Sequence, residues 1–246
     1  MWHNSATQPF SHDGGTVGVV LCHGFTGSPA SMRPWAEFLA RHGYSVRLPL
    51  LPGHGTTWQE MNRTTWQQWF EAQADAYQEL RAHCDRVFVF GLSMGGTITL
   101  RLAQHFDDVA GIVLVNASVH TDDPRAKFAR VLQHVLPSLP GVGNDIKKPG
   151  VDEYCYERLP IRAFVQLQDF WKNVSQDITK VSQPALIFSS ADDHIVEPSN
   201  ARWIAENITS TDKTFVTLHD SYHVATLDYD ADEIFRSSLQ FLQRLS

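Results

Sequence analysis

The segment Gly91-Leu92-Ser93-Met94-Gly95 places one serine between two glycines, where an apolar run over 87–90 is followed by a helical pattern from residue 97. A sharp turn between a strand and a helix, called a nucleophile elbow, presents a serine hydroxyl above the edge of a sheet. Glycine at 91 and 95 lets the backbone pass close to its neighbours. We therefore predict that Ser93 is a catalytic nucleophile rather than a structural serine.

A serine nucleophile needs a general base, and the base needs an acid that orients it. In proteins with this elbow the acid and then the histidine follow the serine along the chain. Asp192 and Asp193 follow an apolar run at 185–189, and His223 follows a second run at 214–219. Both loops leave the sheet edge that carries Ser93. We predict His223 as the base, and the pattern alone leaves Asp192 and Asp193 as alternatives for the acid.

Four other histidines compete with His223 for the role of base. His23 and His54 precede Ser93 and violate the chain order. His194 directly follows the acid candidates, and His219 is expected to belong to its strand. If His223 is not the base, it is a polar loop residue.

The tetrahedral intermediate of acyl transfer needs preorganised N–H donors, each worth about 3 kcal/mol. One donor is expected directly after the nucleophile and the second in the loop after the first core strand. That loop is His23-Gly24-Phe25-Thr26-Gly27, a glycine-punctuated turn before a predicted helix. We predict the backbone N–H groups of Phe25 and Met94 as the oxyanion hole. The alternative for the loop is an ordinary strand-to-helix turn.

Short apolar runs alternate along the chain with longer segments of helical period. Several runs are unbroken stretches of β-branched and aliphatic residues, which are typical of strands buried on both faces of a parallel sheet. The predicted strands are 17–22, 45–48, 86–91, 111–115, 185–189 and 214–219, and the predicted helices are 29–42, 65–83, 94–106, 198–208 and 232–245. This alternation predicts an α/β protein with a mostly parallel central sheet flanked by helices.

The alternation stops between residues 118 and 181, where prolines and two amphipathic stretches, at 127–136 and 162–174, replace the core strands. Two ordinary connecting helices with a long loop fit this pattern, and so does an insertion that covers the sheet. Because long structureless connections are uncommon unless functional, we favour a cap or lid that supplies most of the substrate pocket. We call residues 118–181 the cap segment, and residues 1–117 with 182–246 form the predicted core.

Composition and charge disfavour several classes of protein. The formal net charge of −7 disfavours nucleic acid and anionic membranes as partners. Residues 1–15 lack the basic flank and apolar run of a signal peptide, and no stretch approaches the roughly 20 apolar residues of a membrane span. The three cysteines are an odd number without metal-type spacing. We expect a cytoplasmic protein, and the sequence leaves its oligomeric state open.

These motifs together resemble the bacterial carboxylesterase and monoacylglycerol lipase family of α/β-hydrolases. The likeness extends from about residue 17 to the C-terminus and is looser in the cap segment. The run from Ser221 to Asp228 is narrower than the other motifs and is similar to that of the monoacylglycerol lipase branch. The matching stretches are Leu21-Cys22-His23-Gly24-Phe25-Thr26-Gly27-Ser28-Pro29, Pro52-Gly53-His54-Gly55-Thr56, Gly91-Leu92-Ser93-Met94-Gly95-Gly96, Asp193-His194-Ile195-Val196 and Ser221-Tyr222-His223-Val224-Ala225-Thr226-Leu227-Asp228.

The resemblance implies the α/β-hydrolase fold and a triad of Ser93, Asp193 and His223. It also implies the Phe25 and Met94 N–H groups as the oxyanion hole, with no metal or organic cofactor. The expected substrate is a lipid-derived ester, most specifically a monoacylglycerol. A broad carboxylesterase for short or medium acyl chains, or a thioesterase, is the alternative.

The same resemblance implies an apolar acyl tunnel in the cap segment that ends in a polar pocket for the alcohol. The stretch Lys148-Pro149-Gly150-Val151-Asp152-Glu153-Tyr154 resembles the part of the family that binds glycerol hydroxyls, and Glu153 is the matching carboxylate. Without the resemblance, Glu153 is interpreted as an exposed carboxylate at a helix start.

The segment 118–140 carries more charge than an apolar tunnel wall is expected to have. An amphipathic helix there could expose its charged face to solvent and turn its apolar residues inward. The residues expected to face inward are Phe128, Val131, Leu132 and Val135.

Overall fold

The computed structural model describes residues 4–246, so the first three residues of the N-terminal stretch discussed above lie outside the described part. The strands are β1 Phe10–His12, β2 Val17–Cys22, β3 Ser45–Leu48, β4 Arg86–Leu92, β5 Val109–Val115, β6 Ser138–Pro140, β7 Arg158–Pro160, β8 Ala185–Ser190 and β9 Lys213–Leu218. The helices are α1 Arg33–Arg41, α2 Trp58–Met61, α3 Trp66–Arg81, α4 Met94–His105, α5 Ala129–Leu132, α6 Ile161–Gln176, α7 Ser199–Asn207 and α8 Ala231–Leu245. Among residues 4–246 there is no helix with the length and apolar character needed to cross a membrane.

Seven of the strands form one sheet in the order β1-β3-β2-β4-β5-β8-β9. Every neighbouring pair is parallel except β1 with β3, which is antiparallel. The predicted α/β architecture with a mostly parallel sheet is therefore confirmed. The carboxyl ends of β4, β8 and β9 meet at one edge of this sheet, and the predicted site residues follow these three strands.

The central strands are buried on both faces because their side chains alternate between two layers of helices. In β4, Val87 and Val89 pack in the layer that contains α3, α4 and α6, and Phe88 and Phe90 pack on the opposite face with α1 and α8. All four side chains are fully buried. An unbroken apolar run with a period of two thus builds both layers of the core.

All predicted core strands and helices are present, with differences at their ends. The largest difference lies in the predicted helix 29–42, where a 3-10 turn at Pro29–Ser31 precedes α1. The Ser28 hydroxyl accepts the Ala30 N–H at 3.3 Å and starts this separate turn. The strand β9 ends at Leu218, so the expectation that His219 belongs to it is wrong by one residue. The short edge strand β1 was not predicted because it has only three residues.

The cap segment connects β5 to β8. It contains a 3-10 turn at Pro124–Phe128, α5, the antiparallel pair of β6 and β7, and α6. The helix α6 packs on α3 and α4 of the core, and Phe170 and Val174 are fully buried there. Neither of the two short strands joins the central sheet. The amphipathic pattern at 162–174 corresponds to α6, whereas the pair of short strands was not predicted.

The expectation that the apolar residues of the segment 118–140 face inward is wrong for three of its four residues. Phe128, Val131 and Val135 are 58%, 70% and 74% exposed. The helix α5 has only four residues, so the helical period that would turn the four side chains to one side is not maintained. Of the four, only Leu132 packs against α6, where it is half-buried beside Ile161. This part of the cap segment therefore presents apolar side chains to the surface.

Candidate active site

Ser93 lies in the tight turn between β4 and α4, with φ of 58° and ψ of −121°. Positive φ is strained for a serine, and the neighbouring backbone holds it in place. The Ser93 N–H donates to the Val115 carbonyl at 3.0 Å, and the Ser93 carbonyl accepts the Ser118 N–H at 3.2 Å. A Cβ atom at Gly95 would collide with the carbonyl of Cys22, so this close approach requires glycine. The turn holds the serine at the carboxyl end of β4.

The structure places Asp193 against His223. The Nδ1 atom of His223 lies 2.8 Å from Oδ2 of Asp193, and both side chains are almost completely buried. The other carboxylate oxygen of Asp193 accepts the N–H groups of Ile195 and Val196 at 2.9 and 2.8 Å. Asp192 points away, and its exposed carboxylate lies 3.4 Å from another imidazole, that of residue 194. Of the two aspartates, only Asp193 can orient the His223 ring in this arrangement.

The pair between Asp193 and His223 changes the pKa of both groups. Burial alone lowers the pKa of the His223 imidazole, but the charge and hydrogen bond of Asp193 outweigh burial and raise it above its ordinary value. Burial alone raises the pKa of Asp193, but His223 and the two backbone donors outweigh burial and lower it. The carboxylate is therefore ionised at neutral pH, and it stabilises a proton on the imidazole.

The N–H groups of Phe25 and Met94 make no hydrogen bond to any other residue in the range 4–246. Met94 is the first residue of α4, where backbone N–H groups have no partner within the helix. Phe25 lies in the loop after β2. Its neighbour Gly24 is close to the nucleophile, since a Cβ atom at Gly24 would lie 3.4 Å from Cβ of Ser93. Two unpaired N–H donors beside a serine are the arrangement that an oxyanion needs.

One cavity of about 610 Å³ joins Ser93 and His223 to the cap segment. Most of its apolar wall comes from the cap segment, and the loop after β2 adds Phe25. The apolar cap residues include Pro140, Val142, Leu159, Phe164, Leu167 and Trp171. The charged residues Asp122, Asp123 and Arg125 also line it. The core thus contributes the reactive groups, and the cap segment contributes most of the surface that a substrate would touch.

Comparisons with known proteins agree with this geometry. The protein family described as serine aminopeptidase, S33 matches residues 17–230. The thermostable monoacylglycerol lipase of Bacillus sp. (strain H-257) is 45% identical over 241 residues, which are 98% of this chain and 96% of the relative. The carboxylesterase of Bacillus subtilis (strain 168) is 27% identical over 239 residues, which are 97% of each chain.

A solved structure supports the same relationship. It comes from work on LipS and LipT, two metagenome-derived lipolytic enzymes, and superimposes with a TM-score of 0.95 at 40% identity over 98% of each chain. The chain belongs to the carboxylesterase and monoacylglycerol lipase family of α/β-hydrolases. It is a serine hydrolase of carboxylic esters, as the sequence predicted.

In this hydrolase Glu153 lines the cavity and is half-buried. Its carboxylate accepts the Asn144 N–H at 2.5 Å, and its own N–H donates to the Asn144 side-chain oxygen at 2.9 Å. The chain around Glu153 is not helical, so its interpretation as an exposed carboxylate at a helix start is wrong. The two reciprocal hydrogen bonds hold Glu153 at the cavity wall.

The competing histidines of the hydrolase have other partners. His23 is fully buried, its Nε2 accepts the Leu51 N–H at 3.2 Å, and its Nδ1 lies 3.0 Å from the Gly24 carbonyl. Burial lowers the pKa of His23 to about 4. The His54 ring lies edge-on to His23 at 5.0 Å between centroids and is also buried. These two imidazoles support the first loop and the turn at 52–55.

Sequence reasoning missed Asn116, which follows β5 and has φ of 46°. Its amide nitrogen donates to the His223 carbonyl at 2.7 Å, and its oxygen accepts the Ser190 N–H at 2.7 Å. The Ser190 hydroxyl donates to the Tyr222 carbonyl at 2.8 Å. This buried network fixes the loop of His223 to β5 and β8. An asparagine directly after a buried strand, at the edge that carries the nucleophile, was the available signal.

Proposed function

We propose that this hydrolase cleaves monoacylglycerols to a fatty acid and glycerol through an acyl-enzyme on Ser93. The observation that carries the proposal is a cavity that combines Ser93 and His223, an apolar wall and the half-buried carboxylate of Glu153. An ester with a long apolar acyl chain and a small polar alcohol matches this combination of an apolar wall and a polar group. The relative at 45% identity is a monoacylglycerol lipase, which supports this choice of substrate.

In the first step, His223 takes the proton of the Ser93 hydroxyl as the serine oxygen attacks the ester carbonyl. The carbonyl oxygen becomes an oxyanion, to which the N–H groups of Phe25 and Met94 donate. His223 then gives its proton to the glycerol oxygen as the bond between the acyl carbon and that oxygen breaks. A water molecule, deprotonated by His223, attacks the acyl-enzyme and releases the fatty acid.

In this mechanism Asp193 keeps the His223 ring in the tautomer that can accept a proton at Nε2, the nitrogen that is not paired with Asp193. The distance of 2.8 Å and the burial of the pair make the interaction strong. Asp193 also stabilises the imidazolium that forms after proton transfer. The N–H groups of Ile195 and Val196 hold the carboxylate in this orientation.

We assign the acyl chain to the apolar wall at α6 and the glycerol to Glu153. A carboxylate held at a cavity wall can accept hydrogen bonds from the two free hydroxyl groups of a monoacylglycerol. In this proposal residues 118–181 act as one cap over the core, because they supply most of the apolar wall. We also infer a cytoplasmic enzyme, since the cysteines Cys22, Cys84 and Cys155 are unpaired.

A broad carboxylesterase is the second candidate, favoured by one observation. Asp122, Asp123 and Arg125 line the same cavity, and charged side chains are unfavourable neighbours for a long acyl chain. If these residues limit the acyl site, short esters with any small alcohol fit as well as monoacylglycerols do.

The deciding experiment compares hydrolysis of a monoacylglycerol series with that of the corresponding methyl esters. We expect glycerol esters to be preferred by about tenfold in kcat/KM, the effect of one charge-assisted hydrogen bond. Glu153→Gln should remove this preference and leave methyl esters unchanged. The control Glu157→Gln removes the same charge from an exposed position four residues away.

Ser93→Ala tests the chemistry independently of the alcohol. Turnover of both ester series should fall by about six orders of magnitude in a folded protein, because no other group supplies the nucleophile. Equal rates on both series with an unaffected Glu153→Gln variant would favour the broad carboxylesterase. Retained turnover in Ser93→Ala would exclude the acyl-enzyme mechanism altogether.

A further inference from the structure

Asp145 belongs to the cap segment but contacts both loops that carry the proposed acid and base. Its Oδ2 atom accepts the His223 N–H at 3.1 Å and the His194 N–H at 3.3 Å. Its Oδ1 atom lies 2.9 Å from Nδ1 of His194. Its backbone carbonyl accepts the Val224 N–H at 3.1 Å. The Asp145 side chain is only 14% exposed, whereas that of His194 is 51% exposed.

The two loops leave neighbouring strands, and the buried network of Asn116 and Ser190 holds their bases together. Asp145 adds a second connection closer to the acid and the base. His194 directly follows Asp193, so a hydrogen bond to the His194 N–H holds the acid loop. The His223 N–H belongs to the base itself, so the same carboxylate holds the base loop. Asp145 therefore bridges the backbones of the two residues whose side chains must stay 2.8 Å apart.

We propose that Asp145 is a positioning residue that couples the cap segment to the alignment of Asp193 and His223. This inference rests on the proposed function, because it assigns Asp145 a role through those two groups. A displacement of about 1 Å in a catalytic group costs about a hundredfold in rate, so a bridge that limits such movement affects kcat. Asp145 does not touch the reacting atoms in this role.

The charges around the bridge add an electrostatic effect. Asp145 is one of the negative groups that raise the pKa of His223, after Asp193 and Glu153. The imidazole of His194 faces Asp145 at 2.9 Å, Asp192 at 3.4 Å and the ring of Tyr222 at 4.5 Å between centroids. The hydrogen bond and the charge of Asp145 raise the pKa of His194.

A second carboxylate keeps the cap segment attached when Asp145 is changed. Asp228 is 3% exposed and accepts the N–H groups of Lys147 and Lys148 at 2.7 and 2.9 Å, and that of Tyr222 at 3.0 Å. It ties the residues next to Asp145 to the same loop of the base. A variant of Asp145 is therefore expected to remain folded with the cap segment in place.

The test measures kcat and KM of Asp145→Asn on a monoacylglycerol and on its methyl ester, with pH profiles of kcat/KM. We expect kcat to fall about tenfold or more on both esters, with KM changed less than about twofold. The limb of the profile that reports the base should move to lower pH, because a negative charge that raises the pKa of His223 is lost. The matched control, Glu157→Gln, removes an exposed carboxylate of the same segment and should match the wild-type enzyme.

A rise in KM for the glycerol ester alone would show that Asp145 binds the alcohol, and it would overturn the positioning role. Kinetics equal to those of Glu157→Gln would overturn it as well. If Asp145→Asn does not fold, His194→Ala tests the proposal instead, since it removes the exposed imidazole that is a partner of Asp145. It should lower kcat by about twofold or more at constant KM, and wild-type kinetics would refute the proposal. Loss of activity in Ser93→Ala combined with a silent Asp145→Asn would refute this inference only, and not the proposed function.

Discussion

Valine side chains are buried in the central strands β4 and β5 and exposed around α5 in the cap segment. Val89 and Val113 are fully buried between two layers of helices, whereas Val131 and Val135 are 70% and 74% exposed. A central strand has packing partners on both faces, while the helix α5 has one partner, α6, on one side. The difference shows that apolar side chains of the core pack on both faces of the sheet, whereas part of the cap segment keeps an exposed apolar surface that contributes little to packing.

The two regions also divide the chemistry. Ser93, Asp193 and His223 all follow strands of the buried sheet, and the backbone around each is fixed by hydrogen bonds. Glu153 and Asp145 approach the same cavity from the cap segment. Changes in the core are therefore expected to alter reactivity or stability, and changes in the cap segment to alter the substrate or the alignment.

The largest effect is expected for Asp193→Asn in the core. The amide can donate to His223 and so favour the tautomer that does not accept a proton from Ser93, which should lower kcat by about four orders of magnitude. Steady-state kinetics on a methyl ester measure this loss. Asp192→Asn, one residue earlier and exposed, should retain wild-type kcat; a comparable loss there would mean that the acid is assigned to the wrong carboxylate.

A smaller effect, a loss of stability, is expected when the pH falls, because the core contains buried histidines. The folded protein holds His23 neutral with a pKa of about 4, while the unfolded chain binds a proton below about pH 6.5. The stabilisation is complete above about pH 6.5 and is lost as the pH falls towards 4, and the loss by pH 4 is about 3 kcal/mol. His54 contributes in the same direction, because burial and the nearby His23 lower its pKa.

Denaturant unfolding between pH 8 and pH 4 tests this dependence. The free energy of unfolding of His23→Gln should decrease less with acid than that of the wild type, because one titrating group is removed. Parallel curves for the two proteins would contradict the assignment of the acid sensitivity to His23.

The smallest effects are expected for substitutions of a buried valine and of an exposed valine. Val89→Ala should lower the free energy of unfolding by about 2 kcal/mol, since it removes buried methyl groups and leaves a cavity. Val131→Ala should change it by less than about 0.5 kcal/mol, because the side chain is already in water. Equal losses in the two variants, measured by urea unfolding, would show that Val131 is buried against a part of the protein in solution.

The core and the reactive residues could be predicted because short-range patterns determine them. An unbroken apolar run such as 111–115 indicates a buried strand, and the elbow around Ser93 needs glycines that no other context explains. The order of nucleophile, acid and base along the chain then selected Asp193 and His223 once the family resemblance was included. These patterns depend on the local sequence and on the rules of parallel sheets.

The cap segment could be predicted only in part, because long-range contacts determine it. The period at 162–174 indicated α6, but the apolar pattern at 127–136 suggested an inward face that the four-residue α5 does not form. The bridge of Asp145 to His223 joins residues 78 positions apart, and no local pattern contains it. Asn116 lies directly after a buried strand, but its partners are Ser190 at the end of β8 and His223 after β9, so the local sequence did not identify them.

The loop of His223 is attached to a segment that is synthesised much earlier than the loop itself. The Thr226 hydroxyl donates to the Ser31 carbonyl, across 195 positions of sequence. Because β9 at the sheet edge and the loop that follows it are synthesised after the other strands of the sheet, the site is incomplete until this loop is available. Esterase activity regained after dilution from denaturant should therefore lag behind the recovery of helix signal, and it reports the closing step of folding.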